Sequence, residues 1–284
     1  MLLIRWTVKD LVLIESFSSN LAFKGLSQIY GAVVMKFALN EKEFINEVNA
    51  LKNFDQSQMC KLIDFDLDKK VLLEENILPG TELIKDKSIE NRLEVFCDLY
   101  CQLHSKIYNE QHILLANNSF DSYKGWVTRI TDYISQQENW KKIAIHMKKA
   151  KELYMKLSKD FNKKHLLHGD FHYYNILKSE KGYKLIDPKG VIGDPIFDIP
   201  RYMLNEFWDE ENKLKIDETM EKVFDIISDQ LNISRKILSE ILYIEGSMAI
   251  CWCIEDGASI NEKDKYLFIL EKFLMYIRKY SKIN

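Results

Sequence analysis

Apolar and polar positions change period along this chain. Residues 11–14, 21–26 and 32–37 are short apolar runs that read as strands, with a polar turn at residues 16–20 and another near Tyr30-Gly31. Residues 41–54 switch to a helical period, placing Phe44, Val48 and Leu51 on one face at spacings of four and three. Residues 60–65 and 71–75 read as an antiparallel pair turning at Asp68-Lys69-Lys70, and Pro79-Gly80 breaks regular structure after them. Helical spacing then dominates. Residues 88–108 align Leu93, Phe96, Cys97, Tyr100, Leu103, His104 and Ile107, which marks a core helix with His104 as a structural residue. Further helices are predicted over 126–134 and 141–161, the latter with Ile143, Met147, Ala150, Tyr154, Leu157 and Phe161 on one stripe. Residues 217–230, 234–256 and 262–280 read as three more. A hairpin interrupts this helical part: Ile176-Leu177 and residues 183–186 flank a turn around Lys181-Gly182.

Composition narrows the class. The chain has 284 residues, enough for one large or two modest domains with a full core. Its hydrophobic share of 46% and charged share of 29% are those of a globular enzyme. A formal net charge of -3 gives no footprint for nucleic acid. Only four prolines and ten glycines fit a chain built of long helices. The five cysteines show no C-x-x-C spacing, so they read as free thiols in a reducing, cytoplasmic setting. The opening residues MLLIRWTVKD lack the features of a signal peptide, and the apolar stretch 241–254 is short and holds Glu245, which predicts a core helix and no membrane span.

The chemistry concentrates in residues 164–198, KHLLHGDFHYYNILKSEKGYKLIDPKGVIGDPIFD. His168-Gly169-Asp170, four residues and then Asn175 form a polar loop, and the strand that follows ends in Asp187. Phosphoryl transfer asks for positioning and charge neutralisation more than for covalent help. Magnesium takes hard oxygen ligands, with phosphates and water completing its shell, and Asp187 with the amide oxygen of Asn175 suits it. Asp170 is then free to orient and accept the proton of an attacking hydroxyl. The same grid, H-x-D-x-x-x-x-N followed by an Asp, serves protein kinases.

HGDFHYYNIL followed by LIDPKGVIGDPIFD resembles the aminoglycoside phosphotransferases, and the run I-D-P-K-G-x-x-G-D-P-x-x-D is similar to their streptomycin 6-phosphotransferase and hydroxyurea kinase branch. The resemblance implies an α+β, protein-kinase-like fold of two lobes, with a nucleotide-binding lobe over 1–78 and a catalytic and acceptor-binding lobe over 79–284. It implies ATP, or GTP in its place, and magnesium as cofactors, and a small cationic aminoglycoside such as streptomycin as acceptor. An endogenous metabolite or hydroxyurea is the alternative acceptor, and a nucleotide-binding module without turnover is the alternative of another class.

The remaining candidates follow from that likeness. Lys36, ending the V-V-M-K strand, would contact the nucleotide phosphates and be held by a helix glutamate, Glu47 in preference to Glu43. No G-x-G-x-x-G is present, so Ser18, Ser19 and Asn20 would have to cover the phosphates; an ordinary polar hairpin is the equal alternative. The start looks short for the family, which implies a trimmed or atypical first strand. Backbone groups from Glu75 to Ile77 would meet the adenine edge. His168 would brace the loop, His172 would have no chemical role, and Asp198 would cap a helix and orient the loop, the alternative being that Asp194 or Asp198 faces substrate. Trp252-Cys-Ile-Glu255-Asp256-Gly257 again resembles the streptomycin branch: Glu255 and Asp256 would bind the cationic acceptor, or else simply end a helix.

Overall fold

The computed structural model describes residues 5–14, 20–105, 120–208 and 213–282. An antiparallel sheet of five strands forms first: β1 (Val8–Ile14), β2 (Leu21–Ser27), β3 (Gly31–Phe37), β4 (Leu62–Asp66) and β5 (Val71–Glu75), in spatial order β1-β2-β3-β5-β4. β1 spans seven residues and has an irregular register between Lys9 and Val12. Side chains alternate across a strand. Val33, Met35, Val71 and Leu73 therefore pack with Trp6 and Val8 in a small separate core on one face. Lys36 and Glu74 belong to the other parity, and the register Lys36↔Leu72 and Val34↔Glu74 makes them diagonal neighbours.

Helix α1 (Glu41–Asn53) follows β3, capped by Asn40, whose side chain accepts from the Lys42 and Glu43 N–H groups. Its buried face carries Phe44, Val48 and Leu51 as the spacing predicts, together with Glu47. After β5 the chain crosses a cis Leu78–Pro79 bond into β6 (Pro79–Glu82). The expected break is thus a short strand, paired with β9 (Ile176–Ser179), which itself pairs with β10 (Gly182–Leu185). A proline is tolerated there because the first residue of a strand needs no N–H for the ladder.

The helical part comprises α2 (Ile89–His104), α3 (Tyr123–Ser135), α4 (Lys141–Leu157), α5 (Ile199–Asn205), α6 (Lys213–Leu231), α7 (Arg235–Glu255) and α8 (Lys263–Tyr280). A third small sheet joins β7 (Asp121–Ser122), β11 (Val191–Gly193) and β8 (His165–Leu167). Helix α7 is apolar on nearly all sides because it runs through the interior against α4, α5 and α8. It is long and apolar enough to cross a membrane, yet 83% of its apolar window is buried inside the fold, as a core helix would be. One continuous core links α1, Leu72 and Ile77 with the later helices.

Candidate active site

The pairing of β8 with β11, Val191↔Leu167, brings the two ends of the chemistry-bearing segment side by side. Everything between them, from His168 to Gly190, is held at that point. Gly169 has φ +79°, and a Cβ there would sit 3.0 Å from the Trp126 ring and 3.2 Å from Val191, so both backbone and space require glycine. The buried His168 ring braces the loop. Its Nδ1 accepts the Asp170 N–H (3.3 Å) and its Nε2 donates to the Ile186 carbonyl (3.0 Å), a pairing that needs the neutral ring. Burial pushes its pKa down in the same direction.

Asp198, 1% exposed, accepts the N–H groups of His168 and Gly169, each at 2.8 Å, and the Nε2–H of His104 at 3.0 Å. It does orient the loop. Its side chain makes no capping hydrogen bond to α5, since its oxygens face the His168–Gly169 backbone and His104. The capping acid is Asp194, which accepts the Ile196 N–H (3.2 Å) at the preceding short turn and the Lys163 N–H (3.0 Å).

Asn175 donates its amide N–H to the Asp170 carbonyl (2.9 Å), which leaves the amide oxygen as its acceptor face. Asp187 follows β10 with φ +58°, a conformation that non-glycine residues adopt sparingly and that occurs at functional sites. The hairpin carrying both residues is tied to the first part of the chain by Leu185, whose N–H donates to the Gln58 carbonyl (2.7 Å) and whose carbonyl accepts from Cys60 (2.8 Å). A carboxylate and an amide oxygen form the hard two-donor set that magnesium uses when it shares a nucleotide's phosphates. Among the described residues no cluster of three or more His, Cys, Asp and Glu side chains forms a metal cage.

Lys36 meets three carboxylates. Its Nζ lies 2.8 Å from Glu47 and 3.1 Å from Glu74, and it pairs directly with Asp187. Glu43 is exposed, so Glu47 is the helix acid that reaches the lysine. Burial opposes the charge on Lys36, but Asp187, Glu47 and Glu74 together push its pKa well above the ordinary value. Burial, with Asp187 and Glu47 nearby, pushes Glu74 up to about 7 against the pull of Lys36. Glu74 was not visible in the sequence; only the β3–β5 register singles it out from Glu75.

A pH-dependent stability follows. Glu74 in the folded chain holds its proton up to about pH 7, against an ordinary value of 4.5. Its contribution to stability is therefore complete below pH 4.5 and is lost as pH rises through 7. Glu74→Gln is expected to match wild type near pH 4 and exceed it by up to about 3 kcal/mol at pH 8 in urea denaturation. A difference that does not change with pH would refute this.

Glu75 uses its carboxylate on the Lys61 N–H (2.8 Å) and on Lys184, and its own N–H donates to the Lys61 carbonyl (3.0 Å). Ile77 is buried at the start of the crossing. Ser18 and Ser19 lie outside the described residues.

On the far side of Asp170 the structure assembles residues the sequence had not suggested. Arg201 on α5 has Nε 3.6 Å from Asp170 and Nη2 2.8 Å from Glu245 on α7. The Tyr123 hydroxyl donates to Glu245 (2.9 Å), Arg201 lies 5.2 Å over the Trp252 ring, and Trp252 meets Trp126 edge-on at 5.8 Å. The hints were Glu245, an acid inside an apolar run, and Trp252, which opens the W-x-x-E-D-G motif. His172 lies nearer the chemistry than expected: its Nδ1 accepts the Tyr174 N–H (3.3 Å), and its Nε2 is 3.5 Å from Asp170. Burial works against the charge on Asp170, but His172, Arg201 and Lys189 hold its carboxyl well below the usual carboxylate range. Of the terminal acid pair, Glu255 is bound by both ends of the Arg129 guanidinium (2.6 and 2.9 Å), while Asp256 is exposed.

Residues 5–257 match the family model described as aminoglycoside/hydroxyurea antibiotic resistance kinase. The chain belongs to that family. It is therefore a small-molecule phosphotransferase of the kinase-like fold. No curated protein matches the sequence. Solved structures share the fold at low identity. A thermostable mutant of aminoglycoside phosphotransferase APH(4)-Ia, in ternary complex with ADP and hygromycin B, superposes with a TM-score of 0.67 at 14% identity, covering 98% of this chain and 96% of that one. Choline kinase LicA from Streptococcus pneumoniae gives 0.63 at 15% identity, covering 96% and 94%. A Plasmodium vivax ethanolamine kinase gives 0.66 at 14%, covering 96% and 83%. The α+β expectation thus holds for this resistance-kinase family member, with the small antiparallel sheet followed by helices.

Proposed function

We propose that this kinase family member moves the γ-phosphoryl group of ATP to a hydroxyl of a small cationic acceptor, streptomycin at its 6-hydroxyl in the first instance. The observation that carries the reading is the convergence of Asp170, Asn175, Asp187 and the Lys36–Glu47 pair around one end of the β9–β10 hairpin. Residues 1–78 act as the nucleotide lobe and 79–284 as the catalytic and acceptor lobe. Lys36, steadied by Glu47, contacts the phosphates once Asp187 gives up its hold on the ammonium. Asp187 and the Asn175 oxygen would hold magnesium, which would supply neutralising charge at the phosphates. Asp170 stays ionised and orients the acceptor hydroxyl, taking its proton as the new bond forms. Trp126 and Trp252 wall the acceptor side, and the neighbour with ADP and hygromycin B offers a precedent for an aminoglycoside acceptor on this fold.

A second reading, a kinase for hydroxyurea or a small metabolite, draws support from charge. Glu245 and Glu255 are each matched by an internal guanidinium, Arg201 and Arg129, which leaves fewer free acids for a polycation. ADP release by the purified protein with magnesium and ATP, alone and with streptomycin or hydroxyurea, separates the readings. Streptomycin-dependent release with a phosphorylated product supports the first, and release with hydroxyurea alone replaces it with the second. Absence of release with any hydroxyl acceptor overturns both.

A further inference from the structure

Asp170 has two carboxylate oxygens, and two side-chain nitrogens approach the same one. His172 Nε2 lies 3.5 Å from Oδ1, and Arg201 Nε lies 3.6 Å from Oδ1. Histidine comes from the loop itself, whereas Arg201 comes from α5 and is fixed from outside. Glu245 Oε1 forms an ion pair with its Nη2 at 2.8 Å without a hydrogen bond, the Tyr123 hydroxyl donates to Glu245 Oε2, and the guanidinium lies over the Trp252 ring. The Nε–H of Arg201 is buried and makes no hydrogen bond as the chain stands. A buried donor without a partner is costly, and the acceptor in front of this one is the Asp170 carboxylate.

We infer that Arg201, braced by Glu245 and Trp252, is a positioning residue that holds Asp170 by Oδ1 and thereby presents Oδ2 to the acceptor hydroxyl. The inference rests on the phosphotransferase reading above. Its chemical logic is geometric. A carboxylate free to rotate about its last bond presents either oxygen at varying angles, whereas one oxygen clamped by a planar guanidinium fixes the other. A misplacement of about 1 Å at such a group costs about 100-fold in rate. The brace lies on the acceptor side of Asp170, away from Lys36 and its carboxylates, so nucleotide binding is outside its reach.

Arg201→Met alone would strand Glu245 as a lone buried carboxylate, so the informative variant is Arg201→Met with Glu245→Gln, which keeps an acceptor for Tyr123. Phosphorylation of whichever of streptomycin and hydroxyurea the wild type uses would be measured, with ATP varied and thermal melting followed in parallel. The double variant is expected to melt as a folded protein, lose about 100-fold in kcat and keep the wild-type KM for ATP. Arg201→Lys is expected to recover part of kcat, since it restores a cation between Glu245 and Asp170 without the planar fork. A double variant with wild-type kcat, or one in which KM for ATP and folding fail along with kcat, overturns the positioning role. A wild type that phosphorylates no acceptor overturns the phosphotransferase reading and this inference with it.

Discussion

Asp187→Ala is expected to abolish turnover while leaving the protein folded. Charge neutralisation at transferring phosphates contributes several kcal/mol to such reactions, and about 4 kcal/mol corresponds to a 10³-fold loss. In the proposed site Asp187 is the one carboxylate that meets magnesium. Stability is protected by the surroundings. Lys36 keeps Glu47 at 2.8 Å and Glu74 at 3.1 Å after Asp187 is removed, so no buried ammonium is left alone. Burial opposes the charge on Asp187 and Lys36 favours it, leaving its carboxyl below the ordinary range; the ion pair it forms is one of three around the same lysine. The left-handed backbone at φ +58° costs alanine about 1 kcal/mol, and Asp187→Asn avoids most of that because asparagine tolerates this region. Steady-state ADP release and a thermal melt on both variants check the two halves. Near-normal turnover in either would end the assignment of Asp187.

Asp198→Ala is expected to be the most damaging single change to the fold near the site, at about 3–5 kcal/mol. The carboxylate serves three buried donors, the N–H groups of His168 and Gly169 and the ring of His104. Alanine leaves all three unpaired in a region closed to water. Against a typical stability of about 5–15 kcal/mol that is a large fraction, and the loop bearing Asp170 loses its anchor at the same time. Asparagine is no real rescue, because its amide group offers one acceptor where two backbone N–H groups point. A urea midpoint lowered at constant slope, accompanied by a fall in kcat, is the expected result. A loss below about 1 kcal/mol would show that the loop holds itself in place by other contacts.

The two changes depend on different kinds of information in the chain. The spacing of Asp170, Asn175 and Asp187 is local, spans a single loop and hairpin, and was legible because a turn around Lys181-Gly182 can only bring those ends together. The stripes of α1, α2 and α4 were legible for a similar reason: a helix repeats every 3.6 residues, so its buried face is written in neighbouring positions. Lys36 and Glu47 were found through the likeness to kinases, and the structure brings them within 2.8 Å.

Other features could not be read from spacing. Glu74 and Glu75 are adjacent and alike in sequence; strand parity and the register against β3 turn the first toward Lys36 and the second toward Lys61 and Lys184. Glu255 looked free at a helix end until α3 placed Arg129 beside it. Pro79 read as a break because proline lacks an N–H, yet β9 accepts it at the first position of a strand. Arg201 and Glu245 sit on different helices, and nothing in either segment points to the other. The sequence by itself determined the main helices, most strands of the first sheet and the spacing of the polar groups in the loop, since these depend on short-range periodicity and spacing. Only the tertiary structure decided which charges pair, because a buried charge takes whichever partner the packing of distant segments puts within reach, and burial makes that choice obligatory.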